Sequence, residues 1–141
     1  MKKFTEWMNL TEGMNDYTKD MNVKEKIKKY KNLADNYNVL FKSSKDHNSP
    51  SMFLLLHSME LLLKQKYLEK FGEMDLKLEK SHDLSEFMKK LGVYNKETKI
   101  VCELDPHMVR FRYPTHLKNE DLDMKKIKRI YEKLWSKLNG I

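Results

Sequence analysis

The sequence predicts an all-α fold, an up-and-down helical bundle of about five helices. Three observations predict it. Only four Gly and three Pro occur in 141 residues, too little turn material for a many-stranded sheet. Lys, Glu, Leu and Met, all good helix formers, are abundant. Apolar residues recur at steps of three and four along several segments, the spacing of one helix face. At 40% hydrophobic, the chain carries enough apolar material for one domain-sized core.

Residues 1–21 mix Phe4, Trp7, Met8, Met14 and Tyr17 with polar residues around Gly13. Their periodicity is weak, and they are expected to form an N-terminal arm or short helix ahead of a bundle over 22–141. In residues 22–43, Val23, Ile27, Tyr30, Ala34, Tyr37 and Phe41 make a stripe that Leu33 and Leu40 widen. That is an amphipathic helix with one buried face. "KSSKDHNS" reads as the following loop. Ser49 suits an N-cap and Pro50 a first helical position, so a second helix is expected from there to Phe71, with Gly72 as its stop. Its "MFLLLHSMELLL" is apolar nearly all round, which places this helix at the centre.

"SHDLSEFMKKLG" is a short helix. Asp83 and Glu86 have capping-box spacing, Leu84, Phe87, Met88 and Leu91 form the stripe, and Gly92 ends it. Asn95 can cap a further helix carrying Ile100, Val101 and Leu104. Pro106 breaks or kinks that helix, or opens a new turn, and Pro114 opposes continuation. The last helix is expected from Asp121 or Asp123, with Ile127, Ile130, Tyr131, Leu134 and Leu138 as its stripe. No repeat, low-complexity segment or internal domain boundary interrupts the pattern.

Composition narrows the function. A single cysteine, Cys102, excludes a disulfide framework within a monomer and a thiol-rich metal site. "MKKFTEWMNL" lacks the apolar core of an export signal. The longest apolar run, "MFLLL", is too short for a membrane span. A cytoplasmic protein with no membrane partner is expected. Gly-rich phosphate loops, nucleophile elbows, HExxH and metal-ligand spacings are all missing from the sequence, so no cofactor or metal is expected. The net charge is +7, and residues 106–141 hold nine basic against four acidic side chains. RNA, a nucleotide or another polyanion is a fitting partner; a lysine-rich solvated surface is the plainer reading of the same charge.

Three places carry chemistry. "RFRYPTH" holds Arg110 and Arg112, two of the three arginines, and His116. Arginine grips phosphate through a fork of donors, and histidine moves protons near neutral pH. Such a pair can cleave RNA, the histidine handling the 2′-hydroxyl or leaving-group proton and the arginine the charge on phosphorus. Otherwise the segment is a basic stretch with a solvated histidine. "LLLHSMELLLK" sets His57, Glu60 and Lys64 on one helix face. Polar groups in so apolar a helix need partners, and Glu60 can pair with Lys64 or with an arginine from elsewhere. His82, before a helix start, can bind an anion or, more simply, help form the cap. His47 and His107 lack supporting context.

Taken in order, three segments resemble the HEPN family (higher eukaryotes and prokaryotes nucleotide-binding). "HSMELLLKQKYLEKFG" is similar to its E-L-x-L-K segment, "KSHDLSEFMKKLG" to the H-D-L helix that follows, and "FRYP" to the R-Y-P element before the final helix. The resemblance extends over residues 22–138. It implies an up-and-down bundle that dimerises and works around nucleotides or RNA. Many members are metal-independent ribonucleases, often toxins or defence effectors, marked by an arginine a few residues ahead of a histidine. On that resemblance Arg110 and His116 would be catalytic. Arg112 and Tyr113 would belong to the R-Y-P element, with Arg112 drawn to Glu60. Arg112, Lys118, His57 and Lys64 would contact nucleotide or RNA. Members with the R-Y-P element also include partners of nucleotidyltransferases, so a non-catalytic module binding a nucleotide or a protein partner is the alternative.

Overall fold

The structure, a computed structural model, describes residues 21–44, 48–104 and 124–140. Six helices and no strand occur among them, which gives the all-α bundle. In chain order they are α1 (Val23–Ser43), α2 (Asn48–Phe71), α3 (Leu76–Glu79), α4 (Leu84–Leu91), α5 (Lys96–Glu103) and α6 (Met124–Leu138).

Helix α1 starts where Asn22 caps it, accepting the Glu25 N–H at 2.9 Å. The predicted stripe buries Tyr30, Ala34, Tyr37 and Phe41, while Val23 stays exposed at the helix start. α1 and α2 form an antiparallel hairpin. Cross-helix pairs step away from the turn in order: Ser44 with Ser51 (2.8 Å between hydroxyls), Tyr37 with His57 (ring centroids 5.0 Å apart), and Ala34, whose carbonyl accepts the Ser58 hydroxyl at 2.9 Å.

Helix α2 is the axis of the molecule. Every residue from 51 to 65 is buried, as its all-round apolar surface requires. It begins at Asn48, one residue before the expected cap, so Ser49 lies inside the helix and Pro50 within its first turn, where a missing N–H costs nothing. Phe71 ends it, and Gly72 takes a left-handed φ of 78°.

The short α3 has no counterpart in the sequence pattern. Asp75 caps it by accepting the Leu78 N–H at 2.7 Å, and it tucks Leu78 and Glu79 inward. α4 lays Leu84, Phe87 and Met88 on α2, with Phe87 edge-on to Tyr67 at 5.8 Å. Asp83 caps α4 by accepting from the Ser85 N–H and hydroxyl. That is a cap at the second helical residue rather than the expected exchange with Glu86. Gly92 stops α4 in the left-handed conformation. α5 carries a reciprocal capping box between Asn95 and Thr98. α6 closes the bundle against α2 and α5, with Ile127, Ile130, Tyr131 and Leu134 buried. Among the described residues no helix is long and apolar enough to cross a membrane.

Candidate functional site

The all-round burial of α2 draws three polar side chains into the core: His57, Glu60 and Lys64, at 3%, 2% and 4% exposure. Steps of three and four put them on one face, where Glu60 and Lys64 meet the turn formed by α3 and the residues before α4.

Glu60 is the hub. Its Oε2 lies 3.6 Å from Lys64 Nζ, one helical turn on, and its Oε1 lies 2.6 Å from His82 Nδ1. Burial opposes ionisation of this carboxyl, but Lys64 and then the His82 hydrogen bond outweigh it and hold its pKa down at about 2. An ionised carboxylate only accepts, so His82 Nδ1 is the donor. Lys64 Nζ donates in turn to the Glu79 carbonyl at 2.6 Å. The Glu79 carboxylate accepts from the Tyr30 hydroxyl at 2.9 Å and from Lys26 Nζ at 3.4 Å. A chain of polar contacts therefore runs from α1 through α3 to α2, and reaches the surface at His82.

His82 belongs to this site, although its place before a helix suggested a cap. The cap is Asp83, and the His82 side chain turns instead to Glu60, 22 residues earlier. Its own side chain is 62% exposed while its carboxylate partner is 3% exposed. Spacing along the chain gives no sign of this meeting.

His57 stands apart from the chain of contacts. It stacks on Phe53 at 4.9 Å and meets Tyr37 edge-on, and neither ring nitrogen has a hydrogen-bond partner among the described residues. Burial pushes its pKa down to about 4 against the pull of Glu60, with His82 and Lys64 adding to the fall. It is a neutral imidazole in an apolar sandwich.

Of the residues singled out in the sequence, His57, Glu60 and Lys64 come together, and Glu60 takes Lys64 and His82 as partners. Arg110, Arg112, Tyr113, His116 and Lys118 lie outside the described residues. Among the described residues no group of three or more His, Cys, Asp or Glu side chains is arranged to hold a metal ion. A shallow groove of about 410 Å³ lies elsewhere, where α2, α4 and α6 end, and Lys66, Lys70 and Lys137 line it. Lys70 Nζ donates to the Lys90 carbonyl there at 3.3 Å. Helix C-termini present partial negative charge, so these lysines complement the helix ends.

No family model matches this chain, and no curated protein or solved structure is significantly similar to it.

Proposed function

We propose that this chain is a HEPN-like cytoplasmic homodimer that acts on RNA or nucleotides, as a metal-independent endoribonuclease of a toxin or defence type. The observation that carries the reading is the contact between two of the three resembling segments. Glu60 of the E-L-L-L-K segment and His82 of the H-D-L segment meet at 2.6 Å across a helical bundle. Segments that match a family in order and also pack together through their marked residues support a shared design better than either does alone. The basic C-terminal 36 residues supply attraction for a polyanion. In this reading Arg110 stabilises charge on the phosphate and His116 transfers the proton. The test incubates wild type and His116→Ala with RNA in EDTA. Cleavage by the wild type that falls by about 10²-fold or more in the variant is expected; equal background cleavage by both rejects the nuclease.

The burial of His57 and Lys64 favours a second reading. It withdraws from any ligand at the surface two polar side chains expected to contact nucleotide, which suits a non-catalytic module that docks a protein partner such as a nucleotidyltransferase. That module raises its melting temperature with ligand or partner and shows no turnover.

A further inference from the structure

Helix α6 carries exposed cations in a row. Lys125, Arg129, Lys133 and Lys137 follow one another at steps of four, and all are exposed. Each step rises about 6 Å along the helix and turns about 40° around it, so the row runs about 18 Å and winds as it goes. Lys133 reaches Glu97 of α5 at 3.3 Å, and Lys137 lines the groove where α2, α4 and α6 end. Like charges one turn apart oppose helix formation. A surface that served solubility alone would do better with acids at alternate turns. The described part of α6 has one acid, Glu132, and it stands in the neighbouring row with Lys128. No carboxylate among the described residues pairs with Lys125, Arg129 or Lys137. The Lys133–Glu97 pair is exposed on both sides, at 72% and 56%, and such a pair yields to a competing anion at little cost. Beyond the end of the row, the groove adds Lys66, held by Glu69 at 3.2 Å, and Lys70, held by the Lys90 carbonyl at 3.3 Å.

A row of this form suits one kind of anion. A membrane surface is flat, and a row that turns about 120° around its helix does not lie on a plane. An acidic protein partner needs apolar contact beside its charges, and the exposed positions of the described part of α6 hold no apolar side chain. A duplex offers two phosphate rows across a groove, whereas a single strand offers one and bends to follow its cations. We propose that the Lys125–Arg129–Lys133–Lys137 row, continued by the groove lysines, is a track for the phosphate backbone of a single-stranded nucleic acid. That the strand is RNA rests on the ribonuclease reading above; the track itself rests on the spacing and charge of α6.

The experiment follows the fluorescence anisotropy of an end-labelled, unstructured 2′-O-methyl RNA of about a dozen nucleotides across a salt series, with the full chain. The methyl group blocks cleavage, so binding is read whether or not the chain is a ribonuclease. Four cations on the strand should give log affinity against log salt a slope of about −3. Lys125→Ala with Arg129→Ala should reduce that slope by about 1.4 and weaken binding roughly 20-fold at about 0.1 M salt. Both changes put the best helix former at exposed positions and relieve like-charge contacts, so the melting temperature should not fall. Lys77→Ala with Lys80→Ala removes the same charge from the exposed surface at α3 and should leave the slope near that of the wild type. Equal losses from the two pairs, an α6 variant that binds like the wild type, or a wild type that does not bind each overturn the track. So does a duplex that binds more tightly than the strand. Polyglutamate that displaces the strand at equal charge concentration would assign the row to an acidic protein and overturn it too. Unmodified RNA left intact by a wild type that binds the methylated strand overturns the ribonuclease reading and leaves the track standing.

Discussion

At the scale of single residues, the polar groups of α2 divide by whether burial is compensated. Glu60 and Lys64 satisfy one another, His82 and the Glu79 carbonyl. His57 is satisfied by nothing polar among the described residues. A buried unmet polar group costs about 1–3 kcal/mol, whereas an apolar side chain of similar volume costs nothing of the kind. His57→Leu should therefore stabilise the protein at pH 7 by about 1 kcal/mol or more, less whatever the lost stacking on Phe53 contributes. It should also flatten the acid side of the stability curve. Above its ordinary 6.5, His57 is neutral whether folded or not, and pH does not act through it. Between 6.5 and about 4, the unfolded chain takes up a proton that the folded chain refuses, so stability falls as pH falls. That slope approaches roughly 1 kcal/mol per pH unit. Glu60, held at about 2 from an ordinary 4.5, adds a second loss below pH 4.5, as the unfolded carboxylate protonates first. Urea titrations of both proteins from pH 7 to 4 check this; an unchanged slope between 6.5 and 4.5 in His57→Leu would show that other groups carry it. The sequence made half of this site legible. Periodicity puts His57, Glu60 and Lys64 on one face, but His82 and Glu79 reach them only through the fold of the chain, 22 and 15 residues away.

Elements read well wherever a stripe and a cap coincide. α4 and α5 begin after Asp83 and Asn95, α1 spans its predicted stripe, with a cap at Asn22 that the sequence reading did not name, and the buried positions of α6 follow its predicted stripe. α3 was not legible, because four residues are too few to show a period and only the Asp75 cap marks them. The start of α2 slipped because a proline is tolerated anywhere in the first turn. Two helix ends in sequence, the α4 stop and the α5 start, offer a comparison of mechanisms. Gly92 has φ 73°, and a Cβ there would meet nothing within 4 Å. Gly92→Ala is thus expected to cost about 1–2 kcal/mol, all of it backbone conformation. Asn95→Ala removes the acceptor of two N–H groups, from Glu97 and Thr98 at 2.9 Å, and should cost about 1 kcal/mol. Chemical denaturation should return both losses with unchanged denaturant slope, because neither change opens the core. A loss at Gly92 well above 2 kcal/mol would point to a steric clash instead.

At the scale of the whole molecule, one buried hydroxyl joins the three long helices. Tyr131 of α6 donates to Asn38 Oδ1 of α1 at 2.7 Å and lies 3.0 Å from Ser58 Oγ of α2, which itself donates to the Ala34 carbonyl. The ring is fully buried, packed edge-on against Phe41 at 5.2 Å, and burial pushes the hydroxyl's pKa up, so it remains a donor throughout the working range. Helix α6 lies far along the chain from α1, 93 residues between Tyr131 and Asn38. Apolar stripes alone would let α6 slide or rotate on its neighbours, since Ile127, Ile130 and Leu134 demand only burial. The hydroxyl fixes its register. Removing it by Tyr131→Phe keeps the ring and strands the Asn38 acceptor, at an expected cost of about 1–2 kcal/mol. Asn38→Ala removes the other end of the bond. In the double variant the shared bond is lost only once, so the two losses should fall short of additive by roughly 1 kcal/mol. Equal additivity in the cycle would mean that the clasp contributes nothing beyond ring burial, and that packing alone seats α6 on the hairpin.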